Sequence, residues 1–302
     1  MPMSALPVRF EGDPLTIDLH MHSTASDGAL SPAGVVALCR ERGVTHLALT
    51  DHDTMAGVEE ARAAGETAGL RVVPGTELST QWRGINIHVV GLLPEGAQGD
   101  LVAGLVAQAE ARHRRALAIA ERLEKAGLDH ALDRAREQAD ADRPLGRPDF
   151  ARALVAAGLV PDMGSAFAKY LGNGKPGDIK AHWPYLAEAV AWILDAGGVA
   201  VLAHPLCHGL TRRKRGLLLD DFAAAGGQAA ELVSGFQNPD VTRDLSRQLQ
   251  ERGLYASVGS DFHFPGGHLA PGSMSRVPRT ATPPVWTHPR LAALIGLSAS
   301  AA

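Results

Sequence analysis

Apolar and polar residues alternate along the first third of the chain in segments that fit strands and helices in turn. Short apolar runs over residues 15–20, 44–50, 70–74 and 85–93 predict strands. A helix is predicted to open at Ser31 and Pro32, a favourable cap followed by proline in the first turn, and to end at Gly43. A second helix is predicted over residues 54–68. Strands that alternate with helices at this spacing predict a parallel α/β architecture.

A long segment without strand patterns interrupts this rhythm. Residues 99–127 form a helical stretch rich in Ala, Arg and Glu, and shorter helical patterns broken by prolines follow it. The alternation then resumes, with helices predicted at residues 186–196, 216–225 and 239–252 and strands at residues 199–203, 229–233 and 254–258. We therefore predict a barrel domain over residues 15–96 and 181–285, interrupted by a helical insertion over residues 97–180. The tail after residue 283 is predicted to be peripheral.

Composition narrows the class of protein. The 302 residues include 29 basic and 33 acidic side chains, a balance that disfavours broad nucleic-acid binding but permits a small basic pocket. The two cysteines, Cys39 and Cys207, exclude a disulfide framework and a cysteine-rich metal site. Because the sequence has no long apolar run and no secretory signal, we expect a cytoplasmic protein without a membrane partner. Histidine is unusually frequent, at 13 residues, which is a first indication of a metal site.

Histidines and carboxylates collect where the predicted strands end. Pairs two residues apart, such as His20 with His22 and Asp261 with His263, share one face of an extended chain. The C-terminal rim of an α/β barrel is where catalytic groups gather. The full candidate set is His20, His22, Asp27, His52, Glu77, His88, His204, Asp261 and His263.

These side chains offer only nitrogen and oxygen ligands, which suit Mn²⁺, Zn²⁺ or Fe²⁺. Nine ligands are too many for one ion and would suit two or three. Several dications with only three carboxylates leave a strongly positive pocket, which matches a phosphate ester better than a neutral amide. Such ions lower the pKa of a bridging water and hold the phosphoryl oxygens during attack.

In order along the chain, these motifs resemble the PHP (polymerase and histidinol phosphatase) family. They are Asp-Leu-His-x-His-Ser, Ser-Asp-Gly, Thr-Asp-His-Asp, Gly-x-Glu, Ile-His, Ala-His-Pro and Gly-Ser-Asp-x-His. The resemblance implies a distorted (β/α)₇ barrel of α/β class with a trinuclear site and an attacking metal-bridging hydroxide, and we expect Mn²⁺. It implies one ion on His20, His22, Glu77 and Asp261, a second on Glu77, His88 and His204, and a third on Asp27, His52 and His263. Asp51 and Asp53 would support these ligands from behind.

The helical insertion resembles the branch that contains 3′,5′-nucleoside bisphosphate phosphatases and a 5′→3′ exoribonuclease. That branch implies a substrate with a 5′-phosphate, either a small nucleotide bisphosphate or an RNA 5′ end, whose 3′-phosphoester is hydrolysed. It implies no DNA-specific binding, and no obligate protein partner is evident. Basic residues that could bind the phosphate are Arg112, Arg115, Arg147, Lys175 and Arg212. The sequence leaves open which of the two substrates is used.

Three positions depart from the pattern of that branch. Asp149 stands where a histidine is usual, Cys207 and His208 stand where an Arg-Tyr pair is usual, and Asp178 replaces an aromatic residue. An aspartate near a phosphate repels it unless an arginine is paired with it. Two alternative functions therefore stay open: a phosphatase for a non-nucleotide monoester such as histidinol phosphate, and an amide hydrolase on the same kind of barrel.

Overall fold

Seven strands form one sheet that curls into a nearly closed barrel. The computed structural model describes residues 16–139, 143–180, 183–267 and 269–296, so Leu15, where the first strand was predicted to begin, lies outside the described residues. The strands are β1 (Ile17–Asp18), β2 (His46–Leu49), β3 (Arg71–Trp82), β4 (Ile85–Leu92), β5 (Val199–Leu202), β6 (Ala229–Ser234) and β7 (Tyr255–Gly259). They follow one another in sequence order around the sheet. The Leu19 amide donates to the Val258 carbonyl at 3.0 Å across the seam between the first and last strands. This confirms the predicted distorted seven-stranded α/β barrel.

The prediction of an all-parallel sheet is wrong at β4. This strand runs antiparallel to both β3 and β5. The cause is a two-residue hairpin at Arg83 and Gly84, whose φ angles of 49° and 76° are those of a tight turn with the twist of the flanking strands. Strand β3 therefore extends eight residues past its predicted end at residue 74, and Glu77 lies within the strand, opposite Val90.

Helices cover the outside of the barrel and form the insertion. They are α1 (Pro32–Glu41), α2 (Val58–Ala68), α3 (Asp100–Lys125), α4 (Ala131–Glu137), α5 (Arg147–Ala156), α6 (Met163–Ala166), α7 (Leu186–Asp195), α8 (Arg212–Ala224), α9 (Pro239–Gln250) and α10 (Pro289–Ile295). The Ser31 hydroxyl accepts from the Gly34 amide and caps α1 as predicted. Helix α8 begins four residues earlier than predicted, because the Thr211 hydroxyl caps it by accepting from the Lys214 amide. Among the described residues, no helix is both long and apolar enough to span a membrane.

The insertion has a hydrophobic core of its own. Apolar side chains of α3, α4, α5 and the segment up to Leu171 pack together there, separately from the barrel core. The first half of α3 instead packs on the barrel, where Gly104 lies so close to Trp192 that a Cβ atom would approach the indole ring within 2.6 Å. Helix α3 therefore belongs to both cores and fixes the insertion relative to the barrel.

The tail after residue 283 is not peripheral. Val285, Trp286, Leu291 and Ile295 are all buried in the barrel core. The Ala256 amide in β7 donates to the Pro283 carbonyl at 2.8 Å. A three-residue 3₁₀ turn (Val285–Thr287) and α10 are too short to show a clear hydrophobic period, which is why the sequence pattern did not reveal their burial.

Candidate active site

The barrel brings the predicted histidines and carboxylates into one cluster. His20 and His22 follow β1, His52 follows β2, and Glu77 and His88 lie on the β3–β4 hairpin. Asp27 lies in the loop between β1 and α1. The remaining three members follow the later strands: His204 after β5, and Asp261 and His263 after β7. The ligand atoms of eight members form three groups, each with all atoms within 4.8 Å: His20, His22, Glu77 and Asp261; His22, Asp27, His52 and His263; and His52, Glu77 and His88. His204 belongs to none of the three groups, but its Nε2 contacts Glu77.

One buried carboxylate lies at the centre of this cluster. Glu77 Oε1 is 2.9 Å from both His88 Nδ1 and His204 Nε2. Glu77 Oε2 is 2.9 Å from His52 Nδ1 and 3.2 Å from His20 Nε2. Burial alone would raise the pKa of Glu77, but the surrounding imidazoles hold that pKa well below its usual value. Glu77 is therefore an anion that several imidazoles share.

Several ligand atoms of the cluster are in contact without forming hydrogen bonds with one another. His52 Nδ1 and His88 Nδ1 contact Glu77, yet both lack hydrogen-bond geometry, and Glu77 Oε2 also has no hydrogen-bond partner. The Nε2 atoms of His20 and His22 lie 3.1 Å apart, within hydrogen-bond distance of each other. Nitrogen and oxygen atoms that converge in this way form a donor set that suits divalent metal ions.

The carboxylates also change the proton affinity of the imidazoles. Burial lowers the pKa of His20, but Glu231, Glu77 and Asp261 outweigh it and raise that pKa well above the ordinary value. The same balance of burial against carboxylates raises the pKa of His22 to about 10. A cation that binds these nitrogens must therefore displace protons.

Glu231 is a functional residue that sequence reasoning did not assign. Its Oε1 accepts a 2.7 Å hydrogen bond from His20 Nδ1, and its Oε2 accepts a 2.6 Å bond from the His204 amide. This contact fixes the His20 ring with Nε2 facing the cluster, as a carboxylate behind a metal-binding histidine does. Gly259 makes the contact possible, because a Cβ there would lie 2.2 Å from His20 Cβ. The available signal was a carboxylate inside an otherwise apolar strand, β6.

Asp51 and Asp53 support the site from behind and belong to none of the three groups. Asp51 accepts from the Ser23 amide and hydroxyl at 2.7 and 2.6 Å and from the Ser26 hydroxyl at 2.5 Å, which fixes the loop before Asp27. Asp53 accepts from Arg112 Nε at 2.6 Å and from the Gln108 side chain at 2.8 Å. Asp53 therefore connects the barrel to helix α3 of the insertion.

A cationic pocket lies between the cluster and the insertion. Its walls include Asp27, His52 and His88 from the cluster and Arg112, Arg115, Arg147, Phe167 and Trp183 from the other side. The guanidinium of Arg115 lies 6.0 Å from the Trp183 ring, and that of Arg147 lies 5.9 Å from the Phe167 ring. Burial together with the charges of Arg147 and Arg112 lowers the pKa of Arg115 to about 10. The pocket therefore concentrates positive charge that an anion would stabilise.

The structure does not bring the two remaining predicted cations into this pocket. Arg212 is exposed on the first turn of α8, where its Nε donates to both carboxylate oxygens of Asp244 at 2.9 and 3.0 Å. It borders a separate groove and does not line the cationic pocket, and this position follows from the early start of α8. Lys175 is exposed on a turn after the π-helix (Phe167–Leu171) and is not part of the pocket wall.

The buried Asp149 is neutralised by arginines. Its carboxylate accepts two 2.9 Å hydrogen bonds from Arg143 and one of 2.5 Å from Arg152. It also accepts from the Gly146 amide at 2.7 Å and so fixes the start of α5, next to Arg147. This aspartate therefore holds the pocket wall in place without presenting an unpaired negative charge.

The other two positions that depart from the pattern of the branch, Asp178 and the Cys207-His208 pair, lie at the edges of the site. Asp178 accepts from the Gly174 amide at 2.9 Å, and its charge favours the protonated forms of Arg115 and Arg147. The His208 ring lies 5.2 Å from the His204 ring. Burial and the neighbouring His204 and His88 lower the pKa of His208 to about 3, so this imidazole is neutral. The neighbouring Cys207 is exposed.

Comparison with known proteins identifies the family. The PHP domain matches residues 18–167 of this chain. A 5′-3′ exoribonuclease from Haemophilus influenzae is 43% identical over 255 residues, which cover 84% of this chain and 92% of that protein. The chain belongs to the PHP family. A 3′,5′-nucleoside bisphosphate phosphatase from Chromobacterium violaceum, also 43% identical, matches 83% of this chain and 88% of its own length. The resemblance seen in the sequence motifs is thereby confirmed.

Solved structures agree with the PHP fold. An amidohydrolase from Chromobacterium violaceum, solved with sulfate and without metal, aligns with a TM-score of 0.85 at 41% identity, over 92% of this chain and 96% of that one. A metal-dependent phosphoesterase from Bifidobacterium adolescentis aligns with a TM-score of 0.78 at 27% identity, over 87% and 93% of the two chains. Both alignments therefore extend over most of this chain.

Proposed function

We propose that this chain is a metal-dependent phosphoesterase that hydrolyses the 3′-phosphoester of a 5′-phosphorylated nucleotide. The observation that carries the proposal is the position of the cationic pocket directly against the His, Asp and Glu cluster, with which it shares Asp27, His52 and His88. Relatives that span most of the chain act on a nucleoside bisphosphate or on RNA from its 5′ end, as their names state.

The three groups of ligand atoms would hold two to three divalent ions, and the oxygen and nitrogen donors suit Mn²⁺, with Zn²⁺ or Fe²⁺ as alternatives. When bound, such ions supply Lewis-acid activation of water and of the phosphoryl oxygens. The protein's own residues do the positioning: Glu231 orients His20, Asp51 fixes the loop of Asp27, and Glu77 contributes the shared negative charge.

The cationic pocket would bind the 5′-phosphate. Arg115 and Arg147 donate to backbone carbonyls, those of Ile179 and Leu171, rather than to carboxylates, so their charges stay available to a substrate anion. Phe167 is half-buried and places aromatic surface beside these cations, on which a nucleobase can stack, whereas the Trp183 ring is buried beneath Arg112 and Arg115. A substrate with a 5′-phosphate and a 3′-phosphoester would thereby be held with its 3′ end at the cluster.

The two alternative functions, a non-nucleotide phosphatase and an amide hydrolase, would use fewer residues of the cluster and the cationic pocket. A small monoester such as histidinol phosphate has one phosphate, which the metal ions would bind, so Arg115 and Arg147 would have no partner. An amide hydrolase would need neither these arginines nor a third group of ligands. The proposed nucleotide substrate uses both the cluster and the pocket.

The test offers two substrates in parallel with Mn²⁺: adenosine 3′,5′-bisphosphate and a 5′-phosphorylated oligoribonucleotide. We expect 5′-AMP and phosphate from the first substrate. Release of 5′-mononucleotides in sequence from the second would add exoribonuclease activity. Turnover of histidinol phosphate in the absence of turnover of both nucleotide substrates would contradict the proposal.

A further inference from the structure

A second cavity borders the cluster, and the proposed function gives it no role. A groove there shares four wall residues with the cationic pocket: Asp27, His52, Arg112 and Gly146. It encloses about 230 Å³, compared with about 160 Å³ for the cationic pocket. We name it the apolar groove, after the side chains that distinguish it: Met55, Leu105, Val106, Ala109 and Pro144.

Helix α3 runs along both cavities. Leu105, Ala109 and Arg112 are spaced four and three residues apart, so they lie on one face of the helix. Arg115 is three residues further on and reaches the cationic pocket. A ligand that enters one cavity and passes the cluster therefore continues along the same helix face into the other.

The two cavities differ in available charge. In the apolar groove, Arg112 donates to Asp53 at 2.6 Å and Arg143 donates to both oxygens of Asp149 at 2.9 Å, so both guanidinium groups already have carboxylate partners. On the rim, the Val106 side chain is 58% exposed, although it is apolar. These walls match a base and a sugar better than a phosphate, whereas the cationic pocket matches the phosphate.

We infer that the apolar groove binds the second nucleoside of a short 5′-phosphorylated RNA, an inference that rests on the proposed function. In the reaction, water adds to the phosphorus atom, the bond between O3′ of the first nucleotide and phosphorus breaks, and O3′ takes up a proton. The phosphate stays on O5′ of the second nucleoside, which becomes the new 5′ end. Leu105, Val106 and Ala109 thereby determine whether RNA is accepted besides the bisphosphate.

A competing depression lies at Asp261, His263 and Phe264, where the Phe264 ring is 59% exposed. It also reaches the cluster, but among the described residues it shares no wall residue with the cationic pocket. A dinucleotide anchored by its 5′-phosphate can therefore follow shared walls into the apolar groove, whereas the described residues offer no shared wall towards this depression. Binding of the second nucleoside in the Phe264 depression is therefore the alternative that the experiment must distinguish.

The test compares two glutamine substitutions on α3. Ala109→Gln fills the apolar groove, whereas Ala107→Gln adds the same side chain at an exposed position outside it. The readout is the ratio of kcat/KM for a 5′-phosphorylated diadenylate to kcat/KM for adenosine 3′,5′-bisphosphate, both measured with Mn²⁺. We expect Ala109→Gln to lower this ratio by about tenfold relative to the wild type, and Ala107→Gln to leave it unchanged.

A substrate change gives an independent readout. A 5′-phosphorylated dinucleotide that lacks the second base should react more slowly than diadenylate with the wild type, and this difference should disappear in Ala109→Gln. The inference would be overturned if Ala109→Gln left the ratio of kcat/KM for diadenylate to kcat/KM for the bisphosphate unchanged. It would also be overturned if a Phe264→Ala variant lowered that ratio instead. So would a wild type that cleaves the bisphosphate but not the dinucleotide, a result that leaves the proposed function intact. Failure to cleave either substrate would refute the proposed function itself.

Discussion

The barrel side and the insertion side of the site are built by different means. On the barrel side, most candidate ligands follow strands directly, and Glu77 and His88 lie on the β3–β4 hairpin, so the strands determine their positions. On the insertion side, Arg112 and Arg115 on α3 meet Arg147 on α5 only because the helices pack around a second hydrophobic core. We therefore expect substitutions on the barrel side to affect hydrolysis of every substrate, and substitutions on the insertion side to affect substrate choice.

Substitution on the barrel side should remove activity toward every substrate. Glu77→Gln keeps the shape of the side chain but removes the negative charge that the imidazoles of His20, His52, His88 and His204 share. We expect kcat/KM to fall about a thousandfold, roughly 4 kcal/mol of transition-state stabilisation. The measurement is phosphate release from adenosine 3′,5′-bisphosphate, with the exposed Glu188→Gln as control. A folded Glu77→Gln enzyme with near wild-type turnover would contradict the shared role of this carboxylate.

Substitution on the insertion side should affect only substrates with a 5′-phosphate. Arg115→Met removes a charge-assisted contact worth about 1.5–3 kcal/mol, so kcat/KM for the bisphosphate should fall roughly 10- to 100-fold. Turnover of 3′-AMP, which lacks the 5′-phosphate, should change little. The matched control is Arg114→Met, because Arg114 is exposed and pairs with Glu110. Equal losses on both substrates would show that Arg115 does not recognise the 5′-phosphate.

Glu231 should influence metal affinity rather than substrate choice. Glu231→Gln weakens the hydrogen bond that orients His20, and such partners of metal-binding histidines typically contribute about 10- to 100-fold to affinity. The measurement is Mn²⁺ affinity by competition with a chelator, followed by the ratio of activities on the bisphosphate and 3′-AMP at saturating Mn²⁺. The ratio should equal that of the wild type. A changed ratio with unchanged affinity would place Glu231 in substrate recognition.

Metal affinity should rise with pH. The carboxylates raise the pKa of His22 to about 10 and that of His20 well above its ordinary value, so both imidazoles hold a proton more tightly than a free imidazole does. A cation binds only the neutral imidazole, so affinity weakens as pH falls below these pKa values, by up to about tenfold per pH unit for each displaced proton. Calorimetry in buffers of different ionisation enthalpy measures the released protons. Metal binding without proton release would contradict the raised pKa values.

Arg212 should have no effect on catalysis. Its guanidinium is exposed and bound to Asp244 on α9, outside both cavities. Arg212→Ala should therefore keep the kcat/KM of the wild type on the bisphosphate and on 3′-AMP. A selective loss on the bisphosphate would return Arg212 to the substrate site.

The sequence predicted the barrel side well because strand ends are local features. His20, His22, Asp261 and His263 could be placed together from their spacing after apolar runs, and the structure brings them within one cluster. Glu231 was not assigned a role because that role depends on a long-range contact with His20, which the close approach of Gly259 to His20 makes possible.

The antiparallel β4 and the insertion were harder to predict for physical reasons. The hairpin depends on two positive φ angles at Arg83 and Gly84, and a single arginine gives no clear turn signal. Which arginines meet depends on helix packing: the predicted Arg212 lies on another helix, and Arg143 was not singled out although it neutralises Asp149. Long-range pairings of this kind leave no periodic pattern in the sequence.

The most direct test of the account is the wild-type preference between adenosine 3′,5′-bisphosphate and 3′-AMP, with the products identified. If the barrel hydrolyses the 3′-phosphoester while Arg115 and Arg147 bind the 5′-phosphate, the bisphosphate has much the higher kcat/KM and yields 5′-AMP and phosphate. Equal kcat/KM for the two substrates, or release of the 5′-phosphate to leave 3′-AMP, would contradict it.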